Sequence, residues 1–358
     1  MSKRPLAIAV MGAGLIGKRH IEGVLAEPRI TLAAIIDPSP AARDEARANG
    51  LLWFASLAEA LAQNRPDGVL PDGVIIATPN QLHVANADDV VAAGIPVLIE
   101  KPVAADAEAA AGFVSRAEQA GVPILVGHHR RHNPIIREAK RLMESGRLGR
   151  IRSVNGSFWV AKPDDYFEVK WRREPGAGPI FINLIHDADL FRHLIGEVES
   201  VHAMESNAAR GHAVEDTAVV LLRFDNGALA TLSATDAGPS PWSWERSSGE
   251  NPHFRQESQS CYQIGGTEGA LTIPDLTLWT NQGRPDWREK LTEERLPITP
   301  ADPLTLQLRP FCDVIEGVAA PLVSGREGLA TLEVVQAIKA SARSGRTIFL
   351  EDQDHIHD

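Results

Sequence analysis

Up to about residue 127 the chain alternates short, unbroken apolar runs with stretches of helical spacing. Residues 6–11 read as a buried strand, and a helical pattern follows over 15–26. Residues 30–36 are a second strand. A helix over 40–49 is closed by Gly50, and Ser56 caps another that runs to about Asn64. Buried strands recur at 73–78, 96–100 and 122–127. Helices lie between them at 81–93, stopped by Gly94, and from the cap Asp106 to Ala120, stopped by Gly121. Apolar strands alternating with helices predict a parallel, doubly wound α/β sheet. Its ligands bind outside the carboxyl ends of the strands, near the point where strand order reverses.

Beyond Gly127 the texture changes. A helix over 134–145 is closed by Gly146, and strands then follow at 150–160, 198–206, 216–224, 228–234, 259–265 and 270–273. Turn residues separate some of them, as in Asp225-Asn226-Gly227. Strands without helices between them predict a largely antiparallel sheet in an α+β domain. The exception is a helical pattern over 180–194, ending at Gly196. Residues 240–256 form a polar, tryptophan-rich loop, 304–318 and 326–344 are closing helices, and the charged tail 352–358 carries His355 and His357 without evident purpose. Two domains are expected, 1–127 and 128–358. Residues 66–70 and 71–75 nearly repeat each other, which predicts a lengthened surface loop rather than a regulatory insert.

Chemistry enters at the exit of the first strand. Gly12-Ala13-Gly14-Leu15-Ile16-Gly17 is G-x-G-x-x-G, and Asp37 ends the second strand. Gly12 allows a tight turn, Gly14 lets backbone approach a pyrophosphate, and Gly17 lets helix and strand pack closely. The following helix offers its N–H groups and positive dipole end to phosphate. A carboxylate at Asp37 accepts from ribose hydroxyls and repels a 2′-phosphate, so NAD is expected over NADP. Pro38, Ser39 and Pro40 bring no cation, and Arg43 is a turn into the helix. The order of strand, glycines, helix, strand and acid points to a dinucleotide site, where glycines alone would serve equally to shape a turn.

Three segments are expected at the nicotinamide. Thr78-Pro79-Asn80-Gln81-Leu82-His83 leaves a buried strand, and Asn80 presents an amide or merely caps a helix. Glu100-Lys101-Pro102 ends another strand on the same edge. A lysine beside a positively charged nicotinamide has its ammonium form disfavoured by like charge and desolvation, which suits proton transfer. In the third, Asn183, His186 and Asp189 recur every three residues and make a polar stripe on an apolar helix.

Composition narrows the classes. The 358 residues carry a net charge of −11, which disfavours nucleic-acid binding. Cys261 and Cys312, the only cysteines, give neither a disulfide framework nor a four-cysteine zinc site and fit a reducing cytosol. No stretch reads as a membrane helix, so a cytoplasmic location is expected. His128 and His132 have the spacing of metal ligands, but no third ligand lies nearby, and no metal is expected.

The glycine-rich start, Glu100-Lys101-Pro102 and the helix ending His186-Asp187-Ala188-Asp189 resemble the GFO/IDH/MocA family across essentially the whole chain. The resemblance implies an N-terminal Rossmann domain and a C-terminal domain whose large open sheet serves self-association, as a dimer or tetramer. It implies hydride transfer at carbon four of nicotinamide, Lys101 as the catalytic lysine, a cis Pro102, and His186 assisting at the reacting hydroxyl. It further implies cofactor and substrate contacts at His129 and Arg130, and a loop with Tyr166, Trp171 and Arg172 closing over nicotinamide. Trp242 and Trp244, with Glu245 and Arg246, line a substrate pocket or a subunit contact. One departure is plain. Many members carry an aspartate four residues before the histidine, where this chain has Ile182, and its nearest polar residue is Asn183. Asparagine binds substrate but accepts no proton as a base. The proton then falls to Lys101, alone or relayed with His186.

The resulting expectation is an NAD-dependent dehydrogenase for a secondary alcohol or ketone of a sugar, an inositol or a related cyclic polyol. Two rivals are a dehydrogenase of ring cis-dihydrodiols and a non-catalytic NAD-binding sensor. The missing aspartate leans toward the sensor, while Lys101, His186 and the lack of a basic patch lean toward an enzyme.

Overall fold

Six short parallel strands, apolar almost throughout, form the first sheet: β1 (Leu6–Met11), β2 (Ile30–Ile36), β3 (Trp53–Phe54), β4 (Gly73–Ile76), β5 (Val97–Ile99) and β6 (Ile124–Val126). Their order is β3-β2-β1-β4-β5-β6, so the reversal falls between β1 and β4. The connecting helices are α1 (Leu15–Ala26), α2 (Pro40–Ala48), α3 (Leu57–Ala62), α4 (His83–Ala92) and α5 (Ala107–Gln119). Ser39 and Asp106 cap α2 and α5 through the amides of Ala42 and Ala109. The computed structural model describes residues 4–62, 70–251 and 254–350. Residues 66–69 of the first copy of the near-repeat, and the expected end of α3 at Asn64, lie outside those residues. The second copy leads into β4, with Asp72 accepting from the amide of Ala7 at 2.7 Å.

The chain divides into two compact units, 1–132 with 303–332, and 133–302 with 333–358. The second holds α6 (Pro134–Glu144), β7 (Ile151–Trp159), α7 (Ile185–Ile195), β8 (Val198–Ser206), β9 (Thr217–Phe224), β10 (Leu229–Thr235), α8 (Trp244–Ser247), β11 (Tyr262–Gly266), β12 (Gly269–Ile273), β13 (Thr277–Thr280) and β14 (Thr292–Arg295). The first unit then resumes with α9 (Pro303–Leu306) and α10 (Leu308–Ile315), where one helix was expected. Leu308, Phe311 and Cys312 of α10 join Ile8, Val10, Ile75 and Leu98 in the core under the first sheet. Burial pushes the Cys312 thiol up to about 11, so it is an inert core group. The helix α11 (Gly325–Ser344) and the strand β15 (Ile348–Phe349) end the described chain.

The second sheet has nine strands in the order β14-β13-β12-β11-β7-β10-β9-β8-β15. It is antiparallel except for the β7–β10 pair. Burial alternates strictly along β9. Val220, Leu222 and Phe224 enter a core shared with Ile136 and Leu142 of α6, Leu190 and Phe191 of α7, and Val335 and Ile338 of α11. The opposite face leaves Met204, Val219, Leu221 and Leu229 exposed. Among the described residues no helix is long and apolar enough to cross a membrane.

Candidate active site

In the first unit the three glycines meet three different demands. Gly12 has φ +94°, and a Cβ on it would lie 2.6 Å from the carbonyl oxygen of Ala77. A Cβ on Gly17 would lie 1.9 Å from the carbonyl oxygen of Gly12. A Cβ on Gly14 would meet nothing within 4 Å, and no side chain caps α1 there. The backbone of the loop is thus held tight on the protein side and open on the other, with Leu15 fully outside. Asp37 is fixed to this loop: its carboxylate accepts from Ala13 N at 2.7 Å and from Ser39 N at 2.8 Å. Burial alone would raise the Asp37 carboxyl, but the bonds from Ser39 and Ala13 outweigh it and hold it below the usual carboxylate range. An open glycine cradle beside an ionised acceptor fits a dinucleotide with free ribose hydroxyls.

The carboxyl edges of β4 and β5 are tied together by His83. Its Nδ1 faces the carbonyl of Pro102 and its Nε2 that of Thr78, each at 2.8 Å. The ring is wholly buried, and burial pushes its pKa down despite those carbonyls. His83 therefore braces the two segments expected at the nicotinamide from beneath, rather than facing outward itself. Asn80 does face outward: Pro79 holds the cap position of a short 3₁₀ turn, and Asn80 is exposed. The Lys101–Pro102 peptide is cis. Glu100 is not a solvated partner of the lysine. It is buried, with Oε1 2.7 Å from His20 Nε2 and Oε2 accepting from Lys101 N at 3.3 Å. Burial works against its charge, but the His20 bond and the charges of His20, His129 and Lys101 take its pKa down to about 2.

After β6 a 3₁₀ turn carries His129, Arg130, Arg131 and His132. Arg130, expected to touch substrate, is buried, as are His128 and His132, and Arg131 pairs with Glu327 at 2.8 Å. Among the described residues no three His, Cys, Asp or Glu side chains are gathered as metal ligands.

In the second unit, Gly178 at φ +88° turns the chain so that Ile180 N donates to Glu215 Oε1 at 3.0 Å. Glu215 Oε2 in turn takes Lys339 Nζ at 2.7 Å, and that lysine also binds Glu205. A buried ion pair thus caps the helix start. The first turn, Ile180–Leu184, is a π turn, wider than an α turn. Its altered phase means that three-residue spacing no longer aligns Asn183 with His186. The rule still holds for His186 and Asp189 within α7. His186, Asp187 and Asp189 are buried, and Asp187 accepts from the hydroxyl of Tyr262.

Asn183 is half-buried, and its Oδ1 accepts from Lys162 Nζ at 3.0 Å. Lys162 also lies 3.3 Å from Asp236 Oδ2 and 5.0 Å from the centre of the Tyr166 ring. Burial pushes the Lys162 amine down, opposed by Asp236. Asp236 takes Arg210 Nε on its other oxygen at 3.0 Å. On the adjoining loop the Arg172 guanidinium lies 4.1 Å from the Tyr166 ring centre and donates to the Tyr166 carbonyl at 2.8 Å, with exposed Trp171 beside it. Trp242 is partly exposed and packs edge-on against Trp159, whereas Trp244 is core, stacked on Tyr262 and bonded to Glu250. Sequence reasoning missed Lys162, Asp236, Arg210, Glu215 and His20. Only His20, three residues past Gly17 on the helix face toward the sheet, left a readable trace.

Residues 6–128 match the model of an oxidoreductase family with an NAD-binding Rossmann fold, and residues 136–272 match the GFO/IDH/MocA C-terminal domain. The 1,5-anhydro-D-fructose reductase of Ensifer adhaerens is 27% identical over 347 residues, 94% of this chain and 98% of that one. The scyllo-inositol 2-dehydrogenase (NAD(+)) of Bacillus subtilis is 26% identical over 364 residues, covering 96% of each. Among solved structures, the WlbA dehydrogenase from Bordetella pertussis, in complex with NADH and UDP-GlcNAcA, superposes with a TM-score of 0.77 at 29% identity. That likeness covers 98% of this chain and 100% of the other.

Proposed function

The chain belongs to the GFO/IDH/MocA oxidoreductase family, and we propose that it works there as an NAD-dependent dehydrogenase. Its substrate in this reading is a secondary alcohol, or the matching ketone, of a sugar, an inositol or a related cyclic polyol. The relatives named for a reductase of an anhydrosugar and a dehydrogenase of an inositol support that class. The nicotinamide, when bound, supplies the hydride acceptor or donor. The residues do the rest. The glycine loop and the start of α1 hold phosphate, and Asp37 accepts from ribose. Asn80, with Thr78 and Pro79, borders the nicotinamide. Lys101 takes the hydroxyl proton at Nζ, or returns it in reduction. Asn183 and His186 hold the hydroxyl oxygen, and Tyr166, Trp171, Arg172 and Trp242 contact cofactor or substrate.

The observation that carries the reading is the bracing of Lys101. Glu100 and His83, both buried, fix the backbone on either side of it at the edge of the sheet that bears the open glycine loop. A lysine with only a surface role needs no such support. NADH formation with a panel of sugars, inositols and ring cis-dihydrodiols tests it. Turnover confined to dihydrodiols would move the substrate class. NAD binding without turnover of any of them would make the protein a sensor.

The reading extends to self-association through the open face of the nine-stranded sheet. Met204, Val219, Leu221 and Leu229 form there an apolar patch of the kind that a second copy of the chain covers.

A further inference from the structure

Resting on the reading that Asn183 receives substrate, we propose that Lys162 is a positioning residue that sets the polarity of Asn183. It holds the amide oxygen inward, so that the substrate meets the N–H₂ group. An ammonium has donors and no acceptor, so the atom of Asn183 facing it 3.0 Å away must be oxygen. The other end of the amide then points elsewhere. Among the described residues Asn183 Nδ2 makes no hydrogen bond, and the side chain is only half-buried.

Lys162 is itself held. Its side chain is 11% exposed, and Asp236, 2% exposed, anchors Nζ from another side. Arg210 locks Asp236 in place and also donates to the carbonyl of Lys162 at 2.8 Å. The ring of Tyr166 borders a further side. A flexible surface lysine would let the amide of Asn183 turn over freely; a clamped one does not. The position therefore offers a hydrogen-bond donor to the substrate and suits an acceptor atom, such as a ketone or alkoxide oxygen. Removing the lysine leaves Asp236 paired with Arg210, so no buried carboxylate is stranded and the fold should survive.

A kinetic double-mutant cycle tests this. Lys162→Met should lower kcat/KM by about 10- to 100-fold, the scale of one lost oriented hydrogen bond. The double variant with Asn183→Ala should be no worse than Asn183→Ala alone, because the lysine acts through the asparagine. Lys162→Gln keeps a donor without charge and should recover most of the loss. Additive losses, or a glutamine variant as poor as the methionine one, would overturn the proposal. A second readout is independent of turnover. The side-chain amide signal of Asn183 in ¹⁵N–¹H spectra, assigned by its loss in Asn183→Ala, should move in Lys162→Met and return in Lys162→Gln. An unmoved signal sinks the proposal. A moved signal in a protein that turns over no polyol upholds the role of Lys162 while the dehydrogenase reading falls.

Discussion

His20 lies on the helix that leaves the glycine loop, and it holds Glu100, the residue before Lys101, across 2.7 Å with both side chains buried. One bond thus joins the element proposed to hold phosphate to the element that carries the proposed base. A change at either end is felt at the other.

That pair should show in the acid limb of stability. Glu100 titrates near 2 in the folded protein against an ordinary value of 4.5. Its contribution is therefore complete above about pH 4.5 and is lost as pH falls toward 2. Glu100→Gln should flatten that limb in denaturant unfolding measured across pH. His20→Ala strands a buried carboxylate and should cost about 3–5 kcal/mol near neutrality.

Asp37 should set cofactor choice. Its carboxylate is held ionised by Ser39 and Ala13, where a 2′-phosphate would meet like charge. The wild type should favour NAD in kcat/KM, and Asp37→Ala should narrow the ratio. Equal efficiency of the wild type with NAD and NADP would remove Asp37 from the site.

Lys101→Met keeps the length and apolar stem of the side chain and removes the amine. Turnover should fall at least ~100-fold with NAD affinity largely kept, since general acid–base groups contribute about 10²–10⁴. His186→Ala should fall less and shift the pH–rate profile. Near wild-type turnover in Lys101→Met would move the base to His186.

Gly178 is a packing constraint on the helix that carries Asn183 and His186. A Cβ there would lie 2.5 Å from Glu215 Oε1, and the backbone is left-handed. Gly178→Ala should lower stability by roughly 2–4 kcal/mol, from strain and from displacement of the Glu215 cap. The denaturation midpoint should drop with an unchanged m-value.

Leu221→Glu puts a charge in the middle of the open sheet face, where Leu221 is 51% exposed. Light scattering should show a smaller assembly for the variant than for the wild type. A wild-type monomer would remove the proposed interface.

Most of the first unit was legible because its strands are largely buried on both faces and α2, α3 and α5 begin at the side-chain caps Ser39, Ser56 and Asp106. β3 escaped because two residues have no period. β14, Thr-Glu-Glu-Arg, escaped because every residue faces solvent and no apolar side marks it. The split at Gln307, between α9 and α10, breaks no apolar pattern. At the candidate site the glycines, Asp37 and Lys101 are local signals. The bond between His20 and Glu100 spans 80 residues, and that between Lys162 and Asn183 spans 21, so neither has a local signature. The π turn over Ile180–Leu184 is likewise invisible, because its residues are ordinary helix formers, and the Glu215 that accepts from Ile180 N is 35 residues away.

The return of α10 to the first sheet has a consequence for synthesis. Ile315 and Phe311 lie where a Cβ on Gly73 would meet them at 2.7 and 3.0 Å, so they seal that face of β4. The ribosome finishes the six strands by residue 126 but does not deliver this cover until residues 133–302 have been made. The early product therefore waits with an apolar face bare, and a fragment cut at 132 keeps that face bare for good and should aggregate.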